Sequence, residues 1–172
     1  VARYDRQMGH TGSIKRLHQE DFAQANRILP GRKYEHGSVA GLSLNSILQT
    51  GTHLPPGEVL NLLDQVIFNI LIANTDAHAK NYSMILSAER RVAPLYDACS
   101  SLLWEQMNQY HAQKIANFTL KPGDVTRKHW ESMAKEAGLN ARGLRLRVQE
   151  LAGAIMNSKS AAAETVGSLP GV

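Results

Sequence analysis

A mainly α-helical fold with one small β-hairpin is what this sequence predicts, and three observations carry the prediction. Val59, Leu60, Leu62, Leu63, Val66, Ile67, Ile70 and Leu71 follow Pro55-Pro56-Gly57-Glu58 and cover most of a helical circumference, as in a helix buried on nearly all sides. Thr126 and Asn140 stand where N-caps would open two further helices, the first ended by Gly138. Between these regions, Tyr82 to Leu86 and Arg91 to Ala93 read as paired strands around a turn at Ser87 to Arg90, which puts a hairpin between Asn81 and Asp97.

In chain order, Val1 to Arg6 alternates apolar and polar residues like a strand end, and Gly9 to Ser13 reads as a turn. From Gln19 the positions Phe22, Ala25, Ile28 and Leu29 recur at helical spacing, with Glu20 and Asp21 expected in the first turn and Pro30-Gly31 as the stop. Arg32 to Ala40 is polar and glycine-containing, a loop. Ser43 to Gln49 suits a short helix ended by Gly51, and the strong helix from Pro56 tolerates proline because a first-turn N–H has no partner anyway. Lys114 to Leu120 suits a short strand. The helix opened by Asn140 should end near Asn157, leaving the small and polar residues 158–172 as a disordered tail behind a single folded unit, 1–157.

Composition narrows the classes. A chain of 172 residues with 43% apolar content can bury one sizeable core. The longest apolar region is broken by Asn69, far short of the ~20 residues of a membrane span. One cysteine, Cys99, cannot form an internal disulfide; this fits a reducing cytoplasm and reads as a small buried side chain. A net charge of +4 permits an acidic partner without demanding one. The first residue is Val rather than Met, which suggests a piece cut from a longer protein.

The chemistry concentrates in Asn74-Thr75-Asp76-Ala77-His78-Ala79-Lys80-Asn81, followed by Tyr96-Asp97 after the expected hairpin. Phosphoryl transfer needs a carboxylate to orient the attacking hydroxyl and oxygen ligands to hold Mg²⁺ on the phosphates. Asp76 followed five residues later by Asn81 has the spacing of a base and a metal ligand in a protein-kinase catalytic loop, and Asp97 would be the second ligand. Lys80 is placed to neutralise phosphate charge, Asn74 to orient the loop. His78 lacks the second His or Cys of a zinc site and reads as a structural histidine bonded to nearby backbone. Taken singly, each of these residues is a common turn or cap former, so the weight rests on the combination.

The run Ile72 to Asn81 with Ala93-Pro94-Leu95-Tyr96-Asp97 resembles the catalytic core of the HipA-like serine/threonine kinases, the toxins of bacterial toxin–antitoxin modules. Arg3-Tyr4-Asp5-Arg6, Gln19-Glu20-Asp21-Phe22 and Lys33-Tyr34-Glu35 match in order, so the likeness covers roughly residues 3 to 135. After Lys33-Tyr34-Glu35 the family's glycine-rich continuation is altered to His36-Gly37-Ser38. The resemblance implies a protein-kinase-like C-terminal lobe with a hairpin carrying the metal-binding Asp97, Asp76 and Lys80 as catalytic residues, and ATP and Mg²⁺ held by Lys80, Asn81 and Asp97. It implies a protein substrate of the aminoacyl-tRNA synthetase class, and a small DNA-binding antitoxin as partner. No glycine-rich phosphate loop or strand lysine precedes Asp76, so the lobe alone should lack half of an ATP site.

Two alternatives follow. The basic set Arg127, Lys128, Lys135, Arg142, Arg145 and Arg147 invites a DNA reading, but interspersed Glu131, Glu136 and Glu150 mark ordinary solvated helices, so DNA contact is expected only through the antitoxin. A lobe without a nucleotide cover could instead be a non-catalytic module that binds an antitoxin or another protein.

Overall fold

The computed structural model describes residues 3–9, 11–35 and 40–168. It opens on a hairpin in which β1 (Arg6–Met8) pairs antiparallel with β2 (Ile14–Arg16), Gln7 opposite Lys15, around the expected turn. Gly12 takes φ 77° there, a left-handed conformation that suits glycine.

The next element departs from expectation. Gln19–Asp21 is a strand, β3, and the helix that follows, α1, is only Phe22–Ala25. Asp21 is not in the first helical turn but is the N-cap: its Oδ1 accepts from Gln24 N at 2.8 Å while Gln24 Oε1 accepts from Asp21 N at 3.0 Å. The cause is tertiary, because the backbone of Gln19 to Asp21 is taken up by a ladder to β4 (Ser83–Ile85), Glu20 opposite Met84. Strand β5 (Arg91–Val92) completes a three-stranded sheet in the order β3-β4-β5, the largest among the described residues.

Helix α2 (Leu44–Gly51) is capped by Ser43 Oγ, which accepts from Ser46 N at 3.1 Å. Helix α3 (Pro56–Leu71) is the centre of the lobe, with Leu62, Val66 and Ile67 wholly out of solvent. Each such side chain contributes about 1.5–3 kcal/mol of transfer free energy. Its apolar face is narrower than the sequence suggests, since Leu60 is 61% exposed. Phe22, Ile47, Tyr82, Ile115, Met133 and Leu144 close the core around it.

Helix α4 (Arg127–Glu136) and helix α5 (Ala141–Gly167) begin at Thr126 and Asn140 as expected, and Gly138 ends the first segment at φ 68°. Arg147 on α5 clamps Asp64 on α3, its Nε donating to Oδ1 at 2.7 Å. Three expectations need correction here. Helix α5 does not end near Asn157 but runs on, exposed, to Gly167, because Ala161-Ala162-Ala163 favour helix and no proline precedes Pro170 in the stretch where composition suggested a tail; residues 169–172 lie outside the described residues. Lys114 to Leu120 holds only a single bridge, Ile115 to Phe118, around Ala116 and Asn117 in left-handed conformations. Cys99 is exposed rather than buried. Among the described residues no helix is long and apolar enough to cross a membrane.

Candidate active site

Helix α3 delivers the chain into the site through an abrupt turn. Ala73 adopts φ 57°, and Asn74 N then donates to Asn69 O at 2.9 Å. Asn74 is the hub of the loop: its Nδ2 donates to Asn69 Oδ1 at 2.9 Å and to Asp97 O at 3.1 Å, while its Oδ1 accepts from Asp76 N at 3.2 Å. It orients the loop, as the sequence led us to expect. Asn69 is the buried partner that holds this hub, and its signal in the sequence is a lone amide inside an apolar helical run.

Asp76 stands half-buried with one carboxylate oxygen held: the Tyr34 hydroxyl donates to Oδ1 at 2.7 Å. Burial, then this bond, pushes the Tyr34 hydroxyl up to about 12. Tyr34 was noted in the sequence without a role. Its segment is tied down through Lys33 O, which accepts from Ala79 N in the same loop as Asp76 at 3.2 Å and from Gln113 Nε2 at 2.9 Å. Gly41 passes so close to the Tyr34 carbonyl that a Cβ there would lie 1.8 Å from its oxygen, so only glycine allows this approach.

Asn81, buried, ends a 3-10 turn (Ala79–Asn81), and its Nδ2 donates to Asp97 Oδ2 at 2.6 Å. Asp97 lies in a loop beyond β5 at φ 55°, not on the hairpin itself, so the hairpin returns the chain and the loop presents the carboxylate. Tyr96 steadies this junction: its hydroxyl donates to Lys80 O at 2.6 Å and shares a 2.6 Å bond with Ser83 Oγ. Asn74 bonds the backbone of both Asp76 and Asp97 through its one amide, which holds the two residues beside each other. Asn81 and Asp97 are hard oxygen donors of the kind Mg²⁺ takes alongside phosphates and waters. Asn81 Oδ1 accepts from His78 N at 3.1 Å and keeps a second lone pair. As placed, Asn81 turns Nδ2 toward Asp97 and gives Oδ1 to His78 N, so the pair would hold Mg²⁺ only after the amide turns and releases the His78 N–H.

Among the described residues the Lys80 ammonium makes no hydrogen bond or ion pair with Asp76, Asn81 or Asp97. Its ammonium pairs with Asp21 Oδ2 at 2.5 Å, the oxygen left over from capping α1, so it stitches the catalytic loop to β3. His78 is buried, as a structural histidine, and its Nε2 lies 2.8 Å from Lys33 Nζ. Burial, then the Lys33 charge, lowers its pKa and keeps it neutral.

Beneath the loop, His111 is 5% exposed, and burial pulls its pKa from 6.5 down to about 4. A histidine that stays neutral in the folded chain and protonates in the unfolded one costs stability as pH falls through 6.5, until the folded form also protonates near 4. The full span is worth about 3 kcal/mol. Urea unfolding of the chain should therefore show stability dropping between neutral pH and pH ~4, and His111→Gln should flatten that slope; an unchanged slope would contradict it.

The comparisons agree with this architecture. The family described as HipA-like C-terminal domain matches residues 1–159. A putative kinase of Sinorhizobium fredii, Y4mE, is 36% identical over 154 residues, covering 88% of this chain and 36% of that protein. The serine/threonine-protein kinase toxin HipA of Shewanella oneidensis is 28% identical over 128 residues, covering 67% of this chain and 30% of the toxin. A structure of Shewanella oneidensis HipA with HipB and operator DNA superposes with a TM-score of 0.85 at 25% identity, over 99% of this chain and 42% of that one. The chain thus spans well under half the length of each of these relatives. With a kinase-like helical lobe and a family match over nearly its whole length, the chain belongs to the HipA-like C-terminal domain family.

Proposed function

We propose that this chain supplies the catalytic lobe of an ATP- and Mg²⁺-dependent serine/threonine protein kinase. The observation that carries the reading is the 2.6 Å contact between Asn81 and Asp97, made by a loop that also presents Asp76. Asp76 orients the hydroxyl of a protein Ser or Thr and takes its proton, with one oxygen fixed by Tyr34 and the other left for the substrate. Asn81 and Asp97 hold the metal. When bound, Mg²⁺ would neutralise charge on the transferring phosphoryl group. Lys80 has a structural part, bracing the loop against Asp21. The nucleotide's remaining contacts come, in this reading, from residues outside the chain. The relatives' names support the kinase assignment, and the HipB and DNA in the structural neighbour support a small DNA-binding antitoxin as partner. DNA is met through that antitoxin, in the cytoplasm. The aminoacyl-tRNA synthetase class of substrate rests on the family resemblance.

Calorimetric titration with ATP·Mg²⁺ and an assay of phosphate transfer to protein decide the matter, each run on this chain and on a version extended upstream. The 172-residue chain should bind feebly and transfer almost nothing, and the extended protein should do both. Robust turnover by the short chain would show a complete site in it. An extended protein that binds an antitoxin but never transfers phosphate would make the chain a binding module.

A further inference from the structure

Past Asp97 the chain forms a loop that is pinned at both ends to the catalytic loop. Ser101 N donates to Ala73 O at 3.0 Å, Ser101 Oγ accepts from Thr75 N at 3.2 Å, and Thr75 Oγ1 donates to Asn108 O at 2.7 Å. Thr75 immediately precedes Asp76, so the loop is hung on the neighbour of the proposed base. Inside, Met107 N donates to Trp104 O at 3.0 Å, and Gln109 Nε2 donates to the carbonyls of Trp104 and Met107 at 3.1 and 3.2 Å. A loop so tied has a definite surface. Beside exposed Glu105, Gln106 and Asn108 it displays large apolar side chains: Leu103 is 81% exposed, Leu102 58%, Trp104 41% and Met107 39%. Four large apolar side chains together in water form a patch of the kind that marks an interaction surface.

The patch runs directly into a cleft of about 290 Å³ lined by Tyr34, Thr75, Asp76, Met107 and Asn108. That volume lies at the lower edge of the roughly 300–1,000 Å³ of small-molecule sites, so the cleft takes one or two side chains more readily than a nucleotide. A polypeptide that sets its Ser or Thr hydroxyl against Asp76 must lay its neighbouring residues across Met107 and the loop. The geometry points to this loop and cleft as the seat of the accepting polypeptide, with a large apolar side chain close to the phosphorylated Ser or Thr packing on Leu103, Trp104 and Met107. The inference rests on the kinase reading above and adds the chemistry of the substrate to it.

The test is phosphate transfer from ATP to a degenerate library of Ser- and Thr-containing peptides, by the protein with the residues that flank this chain in its gene. Peptides with Leu, Ile, Met or Phe within about three residues of the acceptor should be enriched. On an enriched peptide, Leu103→Ser combined with Trp104→Ser should lower kcat/KM about tenfold or more through the peptide KM, with the KM for ATP unmoved. Leu103→Met with Trp104→Phe should restore it. Transfer without an apolar preference, or an unmoved peptide KM in the Ser variant, would overturn the docking surface and leave the kinase reading standing. A Ser variant that loses self-association while its peptide KM holds would assign the patch to a second copy of the chain, which also overturns it. No transfer to any peptide or protein would overturn the kinase reading, and this inference with it.

Discussion

Asp76→Asn in the extended protein is expected to cost on the order of 10²-fold or more in kcat while leaving the fold intact. The amide keeps an oxygen where Oδ1 now accepts from the Tyr34 hydroxyl at 2.7 Å, and Asp76 N keeps its bond to Asn74 Oδ1 at 3.2 Å, so the local scaffold loses nothing it depends on. What disappears is the group that receives the substrate proton and one negative charge. The KM for ATP should move little, because in this arrangement Asp76 meets the accepting hydroxyl rather than the nucleotide. Steady-state transfer to a protein substrate, with the thermal unfolding midpoint as a control, separates the two effects. Full activity of the variant would remove Asp76 from the mechanism.

How much of this site could be read from the sequence depended on how local each interaction was. The spacing of Asp76 and Asn81 lies on one continuous loop, and the helix entering it announces itself by periodicity, so both were legible. Asp97 could be brought back because a short hairpin leaves little freedom. Its precise seat was not legible, since the five residues after Val92 form a loop whose left-handed turn at Asp97 has no glycine to announce it. The partners of Lys80 and His78 come from Asp21 and Lys33, distant in sequence, and no local pattern encodes such pairings. For the same reason Gln19 to Asp21 read as the start of a helix: the charges suit a helical first turn, but the ladder to β4 is decided by tertiary structure. Tyr34 stood in a matched motif yet carried no chemical signal until its hydroxyl was found on Asp76.

The metal pair carries the second large effect. Asp97→Asn is well suited to test it, because asparagine tolerates the φ of 55° at this position at least as well as aspartate does, so the change removes charge without adding backbone strain. Metal affinity should fall, with a loss on the order of 10²-fold in rate at limiting Mg²⁺ that is partly recovered as Mg²⁺ is raised. Asn81→Ala should act in the same direction and also remove one of the two acceptors of the His78 N–H, leaving its 2.7 Å bond to Asp76 O.

The assignment of Asn81 and Asp97 as the metal-holding pair is tested most directly with Mn²⁺ in place of Mg²⁺, bound together with a non-hydrolysable ATP analogue to the isotope-labelled extended protein. Paramagnetic broadening of NMR signals should centre on Asn81 and Asp97, reach Asp76 more weakly, and vanish from these residues in Asp97→Asn at the same Mn²⁺ concentration. Broadening centred elsewhere on the lobe, or unchanged by Asp97→Asn, would contradict the account.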